Sequence, residues 1–432
     1  MNKNLGLIIL AFIILMTAGF WLFKNNDRLP IKEPEKKSQE KIEVLTLKGS
    51  NTVGESLAPR LAEAYLKSIG ARLVKTHQLD NPVEKYVEGN LFKENKKIRI
   101  DIRAHGSSTG FQALDNQSTD IAMSSRAIKN EEQVNLSSKY GLIQEHPIAL
   151  DALAIVTYPT NPIDTLTIEN LSRIFAGEIT NWKDIGGEDK AIHLYSRDNN
   201  SGTWDTFKSL VLKPAGRKLS ETSARFESSA ELVSSVTATE GSIGFVGVAY
   251  VDEAKLLNVA TNENTAGFKP SGYTIGTQRY PLSRKLYFYS QQKNTSELAK
   301  SFIDFVRKNS GQKQAEAVGL ISYYPTHYRP EKLDKTTAPR YRELAAIGRR
   351  ITVNFANNQA EADMVKEERD IERLKNYVIQ NSHRKLVLVD FSESSRMAEI
   401  EQRLKAQEIE VLDTIYIEDI VRNEDNIEVW AL

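Results

Sequence analysis

The chain contains no cysteine, and its 57 basic residues are matched by 57 acidic ones. Without cysteine there is no disulfide bond and no thiolate chemistry, although the absence alone does not identify the compartment. Without net charge there is no bulk electrostatic footprint for nucleic acid, so we expect no nucleic-acid partner. The six histidines form no metal-ligand cluster. The sequence therefore predicts no metal site, no cofactor and no catalytic residue.

A long uncharged apolar run is present over residues 5–23. At about 1.5 Å per residue it nearly matches a hydrocarbon layer of ~30 Å. It is longer than a usual signal-peptide core and lacks a clear small-x-small cleavage site, so residues 1–24 predict an uncleaved membrane anchor. Cleavage near Thr17-Ala18-Gly19 remains the alternative. Residues 25–41 are rich in Pro, Lys and Glu and predict a solvated tether.

The stretch from Tyr195 to Phe207 reads YSRDNNSGTWDTF and carries the strongest functional signal. Its turn-forming residues lead to a helix start that Ser201 or Thr203 can cap. A helix N-terminus offers unpaired N–H groups, and Gly202 lets an anion approach the backbone. Arg197 adds a two-pronged donor that matches two oxygens of a tetrahedral oxyanion. Together these features predict a phosphate cradle.

Two earlier stretches have the same chemistry. Residues 48–57 read KGSNTVGESL and residues 105–113 read HGSSTGFQA, each placing Ser, Thr and Gly between an apolar strand pattern and a helix pattern. One such turn is weak evidence. Three of them in one chain suggest that several helix N-termini converge on one anion.

Strand and helix patterns alternate along the chain, which predicts an α/β sheet in each of two lobes. Ligands of such sheets lie at the carboxyl ends of strands, where the Ser/Gly turns fall. Residues 70–97 are polar and irregular and predict an excursion loop. Strands are expected at 42–47, 98–104, 120–126, 148–158, 192–195, 243–246 and 281–289.

Six segments in this order, KGSNTVGE, AHGSSTGFQAL, DIAMSSRAIK, IFAGEITNW, RDNNSGTWDTF and GSIGFVGVAYV, resemble the phosphate-binding proteins of ABC transporters. The resemblance implies an α/β fold of the two-lobed periplasmic binding protein type II clamshell over residues 42–335. Lobe 1 would comprise about 42–145 and 256–335, and lobe 2 about 146–255. It also implies inorganic phosphate held between the lobes and an ABC permease as partner. The implied phosphate contacts are Thr52, Val53, Ser107, Ser125, Arg197, Ser201, Gly202 and Thr203.

Ser125 departs from the pattern of well-known family members, which have an aspartate there. That carboxylate accepts a proton from monobasic phosphate and repels sulfate, whereas a serine neither demands a ligand proton nor adds repulsion. Asp198 and Glu227 are the alternative carboxylates for this role. We expect Arg126 to be a solvated surface residue. The alternative is that it is a second cation near the cleft.

Residues 336–432 predict a separate βαβαβ unit, with strands at 351–355, 386–391 and 409–413 and helices at 360–379 and 394–407. The unit resembles the peptidoglycan-binding domain of outer-membrane protein A-like (OmpA-like) proteins, most clearly in RDIERLKNYV. The family's site aspartate falls on Glu393 and its arginine on Arg396, but the loop between them is nearly absent. The closing asparagine-arginine pattern is replaced by Glu424-Asp425-Asn426. We therefore expect the unit to bind peptidoglycan weakly or not at all.

The function these features indicate is that of a phosphate-binding protein for an ABC transporter, anchored at the periplasmic face of the bacterial inner membrane. A membrane-tethered phosphate sensor or scaffold, acting through the OmpA-like domain, is the first alternative. The second is a hydrolase that uses Ser107 or Ser201 with a histidine such as His105 as base. Adjacency in sequence does not establish the geometry of nucleophile and base, so we expect no enzyme.

Overall fold

The computed structural model describes residues 41–330, 333, 337–356, 364–381, 385–391, 396–417 and 426–432. The predicted anchor at 1–24 and the tether up to residue 40 lie outside the described residues. Across the part that is described, no helix is long and apolar enough to cross a membrane. Residues 42–432 form one packed unit.

Residues 41–330, which comprise the two lobes and the segment that follows them, contain fourteen strands. They are β1 Lys41–Gly49, β2 Arg72–Gln78, β3 Glu84–Leu91, β4 Lys96–Arg103, β5 Ile121–Ser124, β6 Ile143–Thr157, β7 Thr165–Thr167, β8 His193–Arg197, β9 Ala224–Phe226, β10 Ser242–Gly247, β11 Lys255–Leu256, β12 Asn258–Ala260, β13 Ser283–Gln291 and β14 His327–Tyr328.

The helices of the same region follow the Ser/Gly turns or pack on the sheet faces. They are α1 Asn51–Gly54, α2 Leu57–Ser68, α3 Ser107–Asp115, α4 Asn130–Tyr140, α5 Ile168–Phe175, α6 Gly202–Phe207, α7 Ser229–Ala238, α8 Gly272–Gly276, α9 Glu297–Arg307 and α10 Asn309–Glu316. Several predicted signals are confirmed: Thr167 Oγ1 accepts from Asn170 N at the start of α5, and Gly177 follows that helix with φ +78°.

The lobes share one sheet in the order β2-β3-β4-β1-β5-β13-β6-β10-β8-β9, with β11 also beside β6. β6 joins the two halves, because residues 143–152 pair with β13 of the first lobe while residues 153–157 pair with β10 of the second. The β1–β5 and β8–β10 pairs are parallel, so their carboxyl ends face the same cleft. The predicted α/β architecture of both lobes is confirmed.

Each lobe has its own apolar core. The first core includes Leu45, Ile100 and Phe302, and the second includes Phe175, Phe207 and Phe245. The second core continues beyond β11 and also contains Leu257, Val259, Ile275, Tyr280 and Leu282. The chain therefore rejoins the first core at β13. It does not do so at residue 256, where the second part of lobe 1 was expected to begin, because the chain after β12 folds back onto the second lobe.

Residues 72–103 form an antiparallel meander, β2-β3-β4, that widens the first sheet. The prediction of an excursion loop over residues 70–97 is therefore wrong. The strands were hidden because their outer faces are polar and partly exposed, which leaves only a few inward apolar residues. Val87 and Ile98 are examples of these buried positions.

The C-terminal domain, residues 337–432, contains the strands β15 Arg349–Ala356, β16 Leu386–Asp390, β17 Val411–Tyr416 and β18 Asn426–Ala431. They form one sheet with β14 of the preceding segment, in the order β14-β15-β18-β16-β17. Its predicted strands and helices are present, and a further strand, β18, pairs with both β15 and β16. The predicted βαβαβ pattern thus lacked its last strand. The helices of the domain are α11 Pro339–Ile347, α12 Met364–Gln380 and α13 Arg396–Ala406.

The C-terminal domain is docked on the second lobe through backbone and side-chain contacts. β14 pairs with β15, and Thr326 and Thr352 exchange two hydrogen bonds, of 2.9 and 3.0 Å. The Arg350 guanidinium lies 4.0 Å from the ring centre of Tyr273, and Arg373 Nε donates to Tyr323 O across 2.7 Å. The domain therefore packs directly on the lobe that precedes it.

Candidate functional site

The turn after β1 supplies the first group of site residues. Gly49 has φ +134°, and a Cβ there would lie 2.1 Å from the carbonyl oxygen of Met123, so only glycine fits. Ser50 N donates to the same carbonyl across 2.9 Å, which holds the turn against β5. Ser50 Oγ accepts from Val53 N (3.4 Å) at the start of α1. Thr52 and Val53 are both buried.

The turn before α3 supplies the second group. Gly106 has φ +98°, and a Cβ there would lie 2.3 Å from the carbonyl oxygen of Asn200 in the other lobe. Ser108 N donates to that same carbonyl across 3.3 Å. Ser107 Oγ accepts from Ser125 N at 3.1 Å and lies 3.4 Å from Ser125 Oγ. The second turn is thus in contact with β5 on one side and with the second lobe on the other.

The turn after β8 supplies the third group. Asp198 Oδ1 accepts from Asn200 N (2.7 Å) and Ser201 N (3.0 Å), which shapes the turn. Ser201 Oγ accepts from Thr203 N at 3.2 Å and from Trp204 N at 3.4 Å. Of the two residues predicted as the cap of α6, Ser201 is therefore the one that caps it.

The three turns meet at one point between the lobes. Thr52 Oγ1 lies 3.2 Å from Thr203 Oγ1. A Cβ on Gly202 would lie 2.1 Å from Ser107 Oγ and 2.6 Å from Ser125 Oγ. The hydroxyl-rich residues that the sequence analysis selected from both lobes are therefore brought together, with the N-terminus of α6 against them.

Arg197 is fully buried in the second lobe. Its guanidinium donates to Phe226 O (3.2 Å), to Ser229 Oγ (2.7 Å) and to Glu227 O. Among the described residues, these bonds join it to the 226–229 loop and not to the site hydroxyls. Burial lowers the pKa of Arg197, and the charge of Glu55 opposes that effect. Burial also raises the pKa of Glu55, while Arg197 lowers it.

Arg284 and Asp151 belong to the site and were missed by the sequence analysis. Arg284 Nη1 donates to Thr203 Oγ1 (2.9 Å) and Nη2 to Thr52 Oγ1 (3.3 Å). Asp151 Oδ2 accepts from Arg284 Nε (2.9 Å) and Nη2 (2.7 Å). The available signal was the presence of charged residues inside two apolar strand patterns: Asp151 in IALDALAIV, and Arg284 with Lys285 in PLSRKLYFY.

Ser125 is 1% exposed, and the two carboxylates considered as its replacement are engaged elsewhere. Asp198 shapes its own turn, and Glu227 Oε1 lies 2.9 Å from His105 Nδ1. The expectation that Arg126 is a solvated surface residue is wrong, because its side chain is 7% exposed. It is held there by carboxylates from both lobes, Glu132 and Asp205.

The geometry does not assemble a hydrolase at Ser107 or Ser201. Both ring nitrogens of His105 are taken by carboxylates, Glu84 and Glu227, each at 2.9 Å. Residues 106–110 have the Gly-x-Ser-x-Gly spacing, but the hydroxyl of the central Ser108 accepts from an arginine and has no histidine partner in the described part of the chain. In the same part no group of His, Asp or Glu side chains could hold a metal ion.

Comparison with protein families places residues 75–309 in the PBP superfamily domain. The phosphate-binding protein PstS of Borreliella burgdorferi is 32% identical over 261 residues, covering 59% of this chain and 88% of that protein. Protein SphX of Synechococcus elongatus is 32% identical over 252 residues, covering 56% of this chain and 74% of that protein.

A solved structure has the same fold over the two lobes. It is the crystal structure of a phosphate ABC transporter substrate-binding protein with bound phosphate from Clostridium perfringens. The two superimpose with a TM-score of 0.51 at 28% identity, covering 65% of this chain and 99% of that one. The similarity therefore takes in nearly the whole length of the other protein.

Proposed function

Because the chain belongs to the PstS-like family of phosphate-binding proteins, we propose that it binds inorganic phosphate between its lobes and delivers it to an ABC transporter. The observation that carries the proposal is the meeting of three hydroxyl-rich turns from two lobes. The contact between Thr52 Oγ1 and Thr203 Oγ1 marks that point. Such a meeting point offers many hydrogen-bond donors to one tetrahedral anion.

The proposed phosphate contacts divide into three kinds of donor. Hydroxyl groups come from Thr52, Ser107, Ser125, Ser201 and Thr203. Backbone N–H groups come from Val53 and from the first turn of α6 at Gly202, where the positive end of the helix dipole also favours an anion. Arg197 would add a charged, desolvated donor through the two N–H groups that remain after its bonds to Phe226 O, Glu227 O and Ser229 Oγ.

Isothermal titration calorimetry of the purified full chain with phosphate tests this proposal. We expect one phosphate per chain, and expect Arg197→Ala to weaken binding by about 2–4 kcal/mol, because it removes a charge-assisted donor from a desolvated anion. Arg217→Ala is the matched control, because Arg217 belongs to the same lobe but pairs with the exposed side chains of Glu169 and Glu178. No heat and no thermal shift with millimolar phosphate would refute phosphate binding.

The N-terminal residues 1–24 would hold the protein to the inner membrane, with the phosphate-binding lobes on the periplasmic side. Their apolar composition supports this. Fractionation of cells that express the full chain tests it: we expect the protein in the membrane fraction and accessible to protease from the periplasm. Recovery of a soluble protein that begins after residue 19 would favour cleavage instead.

We propose the OmpA-like relationship for the C-terminal domain on its strand and helix order and on RDIERLKNYV. Of its site, Glu393 and Glu424-Asp425 lie outside the described residues. Arg396 is 3% exposed and bonded to Glu367 (2.6 Å) and Glu399 (2.7 Å). An arginine held by two carboxylates has little left to offer a carboxylate ligand, which supports the expectation that peptidoglycan is bound weakly or not at all.

A tethered phosphate sensor or scaffold is the second candidate function, and the docked C-terminal domain favours it. A domain bonded to the second lobe would change its orientation together with that lobe when the cleft opens. Affinity purification of the full chain from its own membranes separates the two candidates. Co-purification of a permease supports transport, and its absence alongside another bound protein supports sensing.

A further inference from the structure

Arg284 and Asp151 are direct cross-strand neighbours on β13 and β6. They lie where β6 leaves the first lobe, since the pairing with β10 of the second lobe begins two residues later, at Leu153. Their side chains are 4% and 0% exposed. An ion pair is thus buried in the middle of the connection between the lobes, directly beneath the point where the three turns meet.

A buried ion pair in this position is not explained by stability. Removing two charges from water is costly, and apolar side chains of similar volume are often equally stable or more stable at such a position. The flanking Leu150, Ala152 and Leu286 are apolar and buried. A charged pair with no stability advantage in an apolar strand pair points to a functional role.

The remaining donors of Arg284 reach both lobes, on Thr203 Oγ1 and Thr52 Oγ1. A hydroxyl that accepts from an arginine still has its own proton to donate. Of the two hydroxyl protons of Thr52 and Thr203, one can form the hydrogen bond between these residues, and the other is left to donate to an anion. Asp151 does not compete, because its second oxygen accepts from Val248 N (3.2 Å).

We propose that Arg284 is a second cationic anion-binding residue, held in place by Asp151, and that it suits the site to doubly charged tetrahedral oxyanions. The proposal rests on the proposed function and adds the charge state of the ligand to it. A carboxylate at position 125 would favour a protonated ligand, whereas Ser125 with two guanidinium groups favours an unprotonated one. Dibasic phosphate and sulfate belong to this class.

The decisive variant is the double substitution Arg284→Gln/Asp151→Asn. Single Arg284→Gln leaves Asp151 buried without its partner and can lose binding through misfolding alone. The double variant removes both charges and leaves a neutral pair of polar side chains that can hydrogen-bond, with an isosteric change at Asp151 and a smaller side chain at Arg284. The matched control is Arg396→Gln/Glu367→Gln, a buried ion pair of the C-terminal domain outside the cleft.

Calorimetric titrations of the full chain with phosphate and with sulfate, at about pH 6 and about pH 8, span the second ionisation of phosphate. We expect the double variant to bind phosphate about 10- to 100-fold more weakly than wild type at the higher pH, and to lose less at the lower pH. The reason is that a lost cation matters more to a doubly charged ligand. Sulfate affinity should fall equally at both pH values, and the control should bind as wild type does.

Three results would overturn the inference. If the wild type binds phosphate and the double variant binds it within about twofold as tightly, the role of Arg284 is overturned and the proposed function stays intact. A phosphate loss of equal size at both pH values indicates a structural role and also overturns it. Failure of the wild type to bind phosphate overturns the proposed function and this inference with it.

Discussion

Arg126 of the first lobe donates from Nε to Asp205 Oδ2 of the second lobe across 2.8 Å. Lys129 Nζ lies 2.8 Å from the same oxygen. Arg126 directly follows Ser125, and Asp205 lies in the first turn of α6. The contact therefore ties together two of the turns that form the proposed anion site, and it is made only when the lobes are together.

We expect Asp205→Asn to weaken phosphate binding by about 1–2 kcal/mol, because closure then lacks the charge-assisted contacts of Asp205 with Arg126 and Lys129. Arg126 keeps Glu132 as a partner, so the fold should be preserved. Asp189→Asn is the control, because the Asp189 side chain is 70% exposed and pairs with Lys183 of the same lobe. Calorimetry measures both. Equal affinity of Asp205→Asn and wild type would remove this contact from the closing mechanism.

Gly202→Ala should reduce phosphate affinity by about 100-fold or more. Its Cβ would lie far inside contact distance of Ser107 Oγ and Ser125 Oγ, so the lobes could not approach fully. The melting temperature should change less, because separated lobes relieve the overlap. Gly216→Ala is the control: it has no neighbour within 4 Å and should keep its affinity, although its φ of +67° makes alanine unfavourable. A Gly202→Ala variant with near wild-type affinity would contradict the closed arrangement.

Ser125→Asp should restore discrimination against sulfate and shift preference to monobasic phosphate. In the wild type no carboxylate at this position requires a ligand proton, so phosphate affinity should hold or rise between about pH 6 and 8, and sulfate should compete. Ser125→Asn controls for size without charge. Competition titrations decide the point. Strong exclusion of sulfate by the wild type, unchanged in Ser125→Asp, would end this explanation.

His105 should make stability depend on pH. Burial lowers its pKa, but the hydrogen bonds and charges of Glu84 and Glu227 outweigh burial and raise the pKa above its ordinary value. Arg103, 3.2 Å from Glu84, faces the same cluster. A raised folded-state pKa gives stabilisation that is fully present below the unfolded value, about 6.5, and is lost as pH rises through the folded pKa.

The comparison that tests this is the melting temperature of wild type against His105→Gln. We expect wild type to be more stable at about pH 5.5, by on the order of 0.2–1 kcal/mol as for partly exposed ion pairs, and the difference to vanish by about pH 8.5. His193→Gln, on an exposed part of β8, is the control. A difference that stays constant with pH would show that the ring acts through packing.

The full chain should sediment weakly or not at all with purified sacculi. Arg396 is already bonded to two carboxylates, and the sequence around Glu393 lacks the loop of the binding family. An intact peptidoglycan-binding domain of the OmpA-like family serves as the positive control. Sedimentation of the full chain to the same extent would show that the site functions despite these differences.

The Ser/Gly turns could be predicted from sequence because their structure is local. Gly49, Gly106 and Ser201 act through neighbours within a few residues or through glycine's backbone freedom, so composition alone indicates them. The meander β2-β3-β4 was not predicted, since strands with exposed polar faces resemble loops in a single sequence. β18 was missed because its six residues are all buried but include the polar Asn426 and Glu428, which interrupt the apolar pattern of a buried strand.

Arg284, Asp151 and Arg126 could not be assigned from local pattern. Arg284 bonds a partner 133 positions away, and the environment of Arg126 depends on a residue 79 positions later. A charged residue in an apolar strand signals a buried partner but does not identify it. Such pairings become visible only when the strand order is known.

The junction between the second lobe and the C-terminal domain also limits where the chain can be truncated. β14 precedes the domain in sequence but is hydrogen-bonded into its sheet, and Gly276 of α8 packs so closely on Thr352 that a Cβ there would lie 2.6 Å from it. Deleting residues from 337 onward would strip β14 of its neighbour and uncover Tyr273, a largely apolar ring. The two parts therefore pack as one unit, and removal of the C-terminal part alone would leave a surface prone to aggregation.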